Sequence, residues 1–173
     1  MLDCLVRYQL KSKIVSNLKS YNEIVERLQN YKGRTYPSHT FIRFEVRWGD
    51  QDVMNHVHNV KYFEFVEQAR MNWFYYSRYL NVTAIEAEFS GGEKTMPILA
   101  RYEFIYKRPV QYPDTLLIGF LSEAIDLSRG SFKHHYLIYS TAQEQVVSTS
   151  EADLEAYDLK EKKRKPVPKQ WVF

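Results

Sequence analysis

Between Phe41 and Tyr157 the hydrophobic period of this chain passes from two to helical and back to two, once only. Ile42, Phe44, Val46 and Trp48 alternate with Arg43, Glu45 and Arg47, the pattern of a half-buried strand. From Asn59 to about Leu80, the residues Tyr62, Phe65, Val66, Ala69, Trp73, Tyr76 and Leu80 recur at three- and four-residue steps, which predicts a long helix. Asn59 suits its N-cap, and Lys61–Glu64 and Glu67–Arg70 are i,i+3 charge pairs along it. Phe63, Phe74 and Tyr75 widen the apolar surface beyond one stripe, so the helix is expected to be wrapped on most sides. After a loop with Gly91 and Gly92, four strand patterns follow without a helix between them, near 98–107, 115–125, 131–141 and 145–157. Their short, turn-like connections fit antiparallel pairing. The expected fold is therefore α+β, a curved five-stranded antiparallel sheet wrapped around one long central helix.

The 173 residues suit one domain with modest extensions. We divide them into an N-terminal helical extension, 1–38, a main domain, 39–159, and a basic C-terminal tail, 160–173, with Pro166 and Pro168. Helical spacing from Ser12 to about Tyr31 supports the first division, and Gly33 and Pro37 close it. Net charge is +4 over residues 1–40, −5 over 41–157 and +4 over 158–173. An acidic centre lacks the concentrated cationic face that nucleic acid requires, so nucleic acid is an unlikely partner. One cysteine, Cys4, excludes an intrachain disulfide and accords with an intracellular setting. No run of 18 apolar residues exists to span a membrane. Residues 1–20 carry four cations, three serines and one acid, faintly like a transit peptide, which leaves cytoplasm and mitochondrion open.

Chemistry concentrates between strand and helix, in Arg47-Trp48-Gly49-Asp50-Gln51-Asp52-Val53-Met54-Asn55-His56-Val57-His58-Asn59. Two carboxylates and two imidazoles stand just ahead of a helix N-terminus, whose unpaired N–H groups suit an anion or a developing oxyanion. A carboxylate there can act as nucleophile or as base toward water. Asp50 reads as structural, an acceptor for backbone N–H groups. His56 and His58 with Asp50 and Asp52 form a metal-like set, although the spacing matches no zinc signature. Glu64 and Glu67 on the helix each have a cation at i,i+3 to pair with, which reads as structural. His134 and His135, adjacent on a strand, face opposite ways and cannot act together. The 14 Tyr and 10 Phe are mostly core, with some available to line a pocket.

At this loop the sequence resembles the hotdog-fold thioesterases of the 4-hydroxybenzoyl-CoA thioesterase type. Asp52, His56, Val57, Asn59, Tyr62, Glu67, Ala69 and Arg70 match that signature in register. So do Tyr106-x-Arg108-Pro109-Val110, Asp114 and the ending from Lys163 to Pro168. The resemblance covers about residues 40–170. It implies hydrolysis of an acyl-CoA or other acyl thioester, in a homodimer or larger homo-oligomer, without metal or cofactor. It assigns Asp52 as catalytic carboxylate, the Asn59 N–H as holder of the carbonyl oxygen, and His56 with the Asn59 side chain as the groups that fix the loop, His56 also reaching the substrate. Asn55, His58, Tyr62 and Arg108 would border the substrate. Asn55 stands where the family usually has Gly, and His58 where it usually has Asn. These departures open an alternative, a non-catalytic hotdog protein acting as a binding or assembly subunit.

Overall fold

The period-two segments are strands in the computed structural model, which describes residues 21–76 and 95–172. The chain divides into two units, residues 1–38 and 39–173. In the first, residues 21–28 are helical (α1), followed by a hairpin of β1 (Asn30–Tyr31) and β2 (Arg34–Thr35). Lys32 at φ 51° and Gly33 at φ 78° make its two-residue turn, which needs positive φ at both positions. The helical pattern expected from Ser12 thus ends before Asn30, and its part over 12–20 lies outside the described residues. So does the transit-like stretch.

The second unit runs β3 (Ile42–Glu45), α2 (Asn59–Tyr76), β4 (Thr95–Tyr106), β5 (Thr115–Asp126), β6 (Ser131–Ser140), β7 (Gln145–Asp158) and β8 (Lys163–Arg164). All pairings are antiparallel, in the order β3-β5-β6-β7-β4, with β8 added to β7. The sheet curls around α2, the hotdog arrangement. Tyr62, Phe65, Val66, Ala69 and Trp73 of α2 bury against Ile118 and Phe120 of β5, Tyr136 and Ile138 of β6, and Leu154 of β7. The loop containing Gly91 and Gly92 and the expected last turn of the helix, 77–80, lie outside the described residues. No described helix is long and apolar enough to cross a membrane.

Helix α2 is covered apart from one stripe, where Val60, Glu64, Glu67 and Gln68 stay in solvent. Three expectations need correction. Strand β3 stops at Glu45, because a 3-10 turn over Trp48–Asp50 takes the chain out of the sheet. Among the described residues the sheet has six strands rather than five, the sixth being the two-residue β8. And residues 160–173 are no free tail: β8 pairs with β7, and the Val167 N–H donates to the Leu127 carbonyl at 2.8 Å. Trp171 is 1% exposed, packs against Phe132 and accepts a bond at its carbonyl from Ser122. Two apolar side chains, Val167 and Trp171, outweigh the six cations around them, whose ammonium and guanidinium heads stay at the surface.

Two glycines fix close approaches. The Phe41 ring lies over Gly119, where an added Cβ would meet it at 2.6 Å. Gly130, at φ 86°, would bring a Cβ to 2.4 Å from the Lys165 carbonyl oxygen, so it admits the returning C-terminal segment.

Candidate active site

The loop before α2 is built as a small hairpin. At its start the Arg47 N–H and guanidinium clamp the buried Asp50 carboxylate at 2.8–3.2 Å, with Lys61 Nζ at 4.0 Å. Burial works against ionisation there, yet the Arg47 bonds and the Lys61 charge hold this carboxyl below its ordinary range. Asp50 is therefore the anchor expected of it. Gln51 and Val57 then form an antiparallel bridge, and the Asp52 N–H donates to the His56 carbonyl at 2.8 Å. The Asn55 N–H donates to the Asp52 carbonyl at 3.0 Å, and Asn55 sits at φ 58°. This is a turn closed by a left-handed residue, a position that favours glycine and tolerates asparagine. The departure at Asn55 is thus absorbed by the backbone. The Val57 N–H ties the hairpin to the Val110 carbonyl at 2.7 Å, beyond the end of β4.

Asp52 stands at the hairpin's base. Its Oδ1 accepts the Met54 N–H at 2.8 Å and the His56 N–H at 3.3 Å. These bonds, the Met54 one foremost, hold its carboxyl below the usual carboxylate range, with smaller help from the His56 and His58 rings. The group is an anion at neutral pH, and Oδ2 is left over by both bonds.

Helix α2 begins at Asn59, and its cap differs from expectation. His58 Nδ1 accepts the Val60 N–H at 3.2 Å, and the His58 carbonyl accepts the Lys61 N–H at 2.8 Å. His58 is therefore the N-cap rather than Asn59, whose Oδ1 shares the Val60 N–H at 3.0 Å. An imidazole lone pair does here what a carboxamide oxygen does in other caps.

Asp52, His56, Asn59 and Tyr62 line one cleft of about 520 Å³, with Tyr106, Lys107 and Arg108 across from them. Tyr62 and Tyr106 meet edge-to-face at 5.1 Å, and the Tyr106 hydroxyl lies 3.5 Å from the Asn59 carbonyl oxygen. Burial, then Tyr106 and Asp114, raise the Tyr62 hydroxyl well above its ordinary pKa, so it remains a donor. Of the seven predicted site residues, five share this cleft. Asn55 and His58 border the hairpin instead of lining the cavity. Tyr106 and Lys107 were not among the predicted site residues, although both lie within the Tyr-x-Arg match already noted. Glu64 pairs with Lys61 at 2.7 Å and Glu67 with Arg70 at 3.3 Å, and neither lines the cleft. Among the described residues no group of three His, Cys, Asp or Glu stands close enough to hold a metal. His134, fully buried, bonds the Tyr136 hydroxyl at 3.0 Å, while His135 lies between Glu123 and Glu151 at 2.7 and 3.0 Å.

A curled antiparallel sheet with this loop ahead of its central helix defines a hotdog-fold protein. The sequence profile of the Thioesterase-like superfamily matches residues 46–172, and the chain belongs to that family. No curated protein matches it. Among solved structures it is similar to the PA2801 protein of Pseudomonas aeruginosa, at 23% identity and TM-score 0.61, over 75% of this chain and 92% of that one. It is also similar to YbaW of Escherichia coli, at 23% identity and TM-score 0.62, over 73% and 88%. Slr0204 of Synechocystis, a 1,4-dihydroxy-2-naphthoyl-CoA thioesterase, aligns at 18% identity and TM-score 0.60, over 76% and 90%. At these identities the neighbours share the fold.

Proposed function

We propose that the protein hydrolyses acyl thioesters, acyl-CoA among them, in the manner of the 4-hydroxybenzoyl-CoA thioesterase type. One observation carries this reading: the ionised Asp52 carboxylate opens on the same cleft as the first turn of α2. In hydrolysis the hydroxyl of a water joins the acyl carbon, the C–S bond breaks, and the thiol leaves with the proton. Asp52 serves as nucleophile on the carbonyl carbon or as base on that water. The Asn59 N–H, at the positive end of the helix, receives the carbonyl oxygen as its charge grows. His56 steadies the hairpin through its backbone bonds to Asp52. Tyr62 and Tyr106 border the acyl group, and Arg108 with Lys107 suits the phosphates of a CoA-type leaving group. Family membership supports the reading, as does the CoA substrate in the name of Slr0204. The non-catalytic alternative draws on Asn55, His58 and the terminal extensions, and the hairpin and cap accommodate the two residues. A homodimer formed through β4 belongs to the same proposal, as does an intracellular setting.

Asp52→Asn tests it. The carboxamide keeps an Oδ1 acceptor for both N–H groups, so folding should hold and the thermal midpoint should change little. Turnover across a panel of acyl-CoAs should fall by about 10²–10⁴-fold, the usual worth of such a group. A parent protein inert toward every thioester would point to the assembly-subunit reading.

A further inference from the structure

Successive backbone N–H groups from Val57 to Lys61 frame the start of α2, and nearly all are engaged inside the chain. Val57 donates to the Val110 carbonyl at 2.7 Å, His58 to the Asp50 carbonyl at 2.9 Å and Lys61 to the His58 carbonyl at 2.8 Å. Val60 donates to His58 Nδ1 at 3.2 Å and to Asn59 Oδ1 at 3.0 Å. Among the described residues the Asn59 N–H finds no acceptor. It belongs to the planar peptide that joins His58 to Asn59, so its direction is that of the whole plane.

We propose that His58 is a positioning residue for thioester hydrolysis, its ring aiming the Asn59 N–H by holding the Val60 N–H. The proposal rests on the thioesterase reading of the cleft and adds a residue to its machinery. The bond from Nδ1 to the Val60 N–H closes a ring of atoms that runs through the His58–Asn59 peptide and back along the imidazole. A peptide enclosed in this way cannot turn without breaking that bond. The Asn59 side chain cannot replace it, because its own bond to Val60 spans only the next peptide and leaves the first plane free. Behind the ring, the His58 N–H is anchored on the carbonyl of Asp50, which is buried and clamped by Arg47. His58 itself is exposed and lies outside the lining of the cleft, whereas Asn59 lines it. The histidine therefore acts through Asn59 and not on the substrate. The aim matters to the barrier more than to binding, since this N–H meets full charge only as the carbonyl oxygen becomes an oxyanion.

The test measures kcat, KM and the thermal midpoint for His58→Ala, His58→Gly and His58→Asn, with the best substrate of the acyl-CoA panel. Alanine and glycine both remove the acceptor, but glycine is itself a favourable cap residue and keeps the helix start stable. Each should lower kcat by about five- to tenfold, the size of one capping bond carried into the barrier, with KM within about twofold of the parent. Glycine should do so at a midpoint close to the parent's, which separates aim from stability. His58→Asn supplies a carboxamide oxygen for the Val60 N–H and should recover most of the lost kcat. The proposal is overturned if alanine and glycine both keep kcat within about twofold of the parent, or if the loss falls on KM instead. It is overturned as well if kcat merely follows the thermal midpoint through the series. His58→Asn as slow as His58→Ala would also overturn it, because the ring would then act on the substrate directly. In all these outcomes the parent still cleaves thioesters and the thioesterase reading stands. A parent inert toward the whole panel removes that reading and the role of His58 together.

Discussion

Asn55 occupies the backbone angle that glycine reaches most easily, and its side chain points to a simple pair of substitutions. Asn55→Ala places a Cβ without a local polar partner at φ 58°, and should cost about 1 kcal/mol in a denaturant titration. Asn55→Gly should leave stability and turnover within about twofold of the parent, because residue 55 does not line the cleft. Asp52 has a pH signature. In the proposed reaction its ionised form does the chemistry, and the Met54 and His56 N–H groups hold its carboxyl below the ordinary value of about 3.9. Activity should therefore persist as pH falls to that value and be lost only beneath it. A pH–rate profile of kcat/KM with an acid limb above about 5 would assign that limb to another group. Asp52, His56 and Asn59 were legible in the sequence because their spacing is local and fixed by one tight turn. The choice of His58 as cap was not, since it depends on where the first helical N–H points. Lys107 was missed because it is the unspecified position between Tyr106 and Arg108 in the match, and only the cleft's lining singles it out.

The long strands were read almost to their ends and α2 from its first residue, because period two and period 3.6 persist over enough residues to stand out. The C-terminal segment defeats the same approach: Val167 and Trp171 are two apolar residues among cations and prolines, too few to define a period. Its contribution is measurable. Trp171→Ala removes a side chain that is 1% exposed and should cost about 3–5 kcal/mol in urea unfolding. A loss below about 1 kcal/mol would mean the segment is dispensable to the core. Within the sheet, Gly119 is held by the Phe41 ring. Gly119→Ala should destabilise by about 1–3 kcal/mol, and Phe41→Leu in the same chain should recover part of it by vacating the space. Calorimetric midpoints of the single and double variants decide this.

Among the described residues strand β4, twelve residues long, ends the sheet with one side unpaired, and Ile98 and Ile105 are 38% and 56% exposed. A long edge of that kind is a template for another strand. We expect a homodimer joined there, with twice the 20.7 kDa chain mass in light scattering; a folded monomer at micromolar concentration would refute it. The pairing order has a further consequence, for how the protein is made. Synthesis runs from β3 through α2 and β4 before any of their partners exists. Ile42 must wait for Ile118, and Met96 for Tyr157, while within this sheet β5, β6 and β7 pair with their immediate successors. On a translating ribosome the apolar side of α2 emerges long before the sheet that covers it. Refolding should accordingly be slow for the chain's size, and a nascent chain paused before β7 is the form in which this protein is most exposed to aggregation.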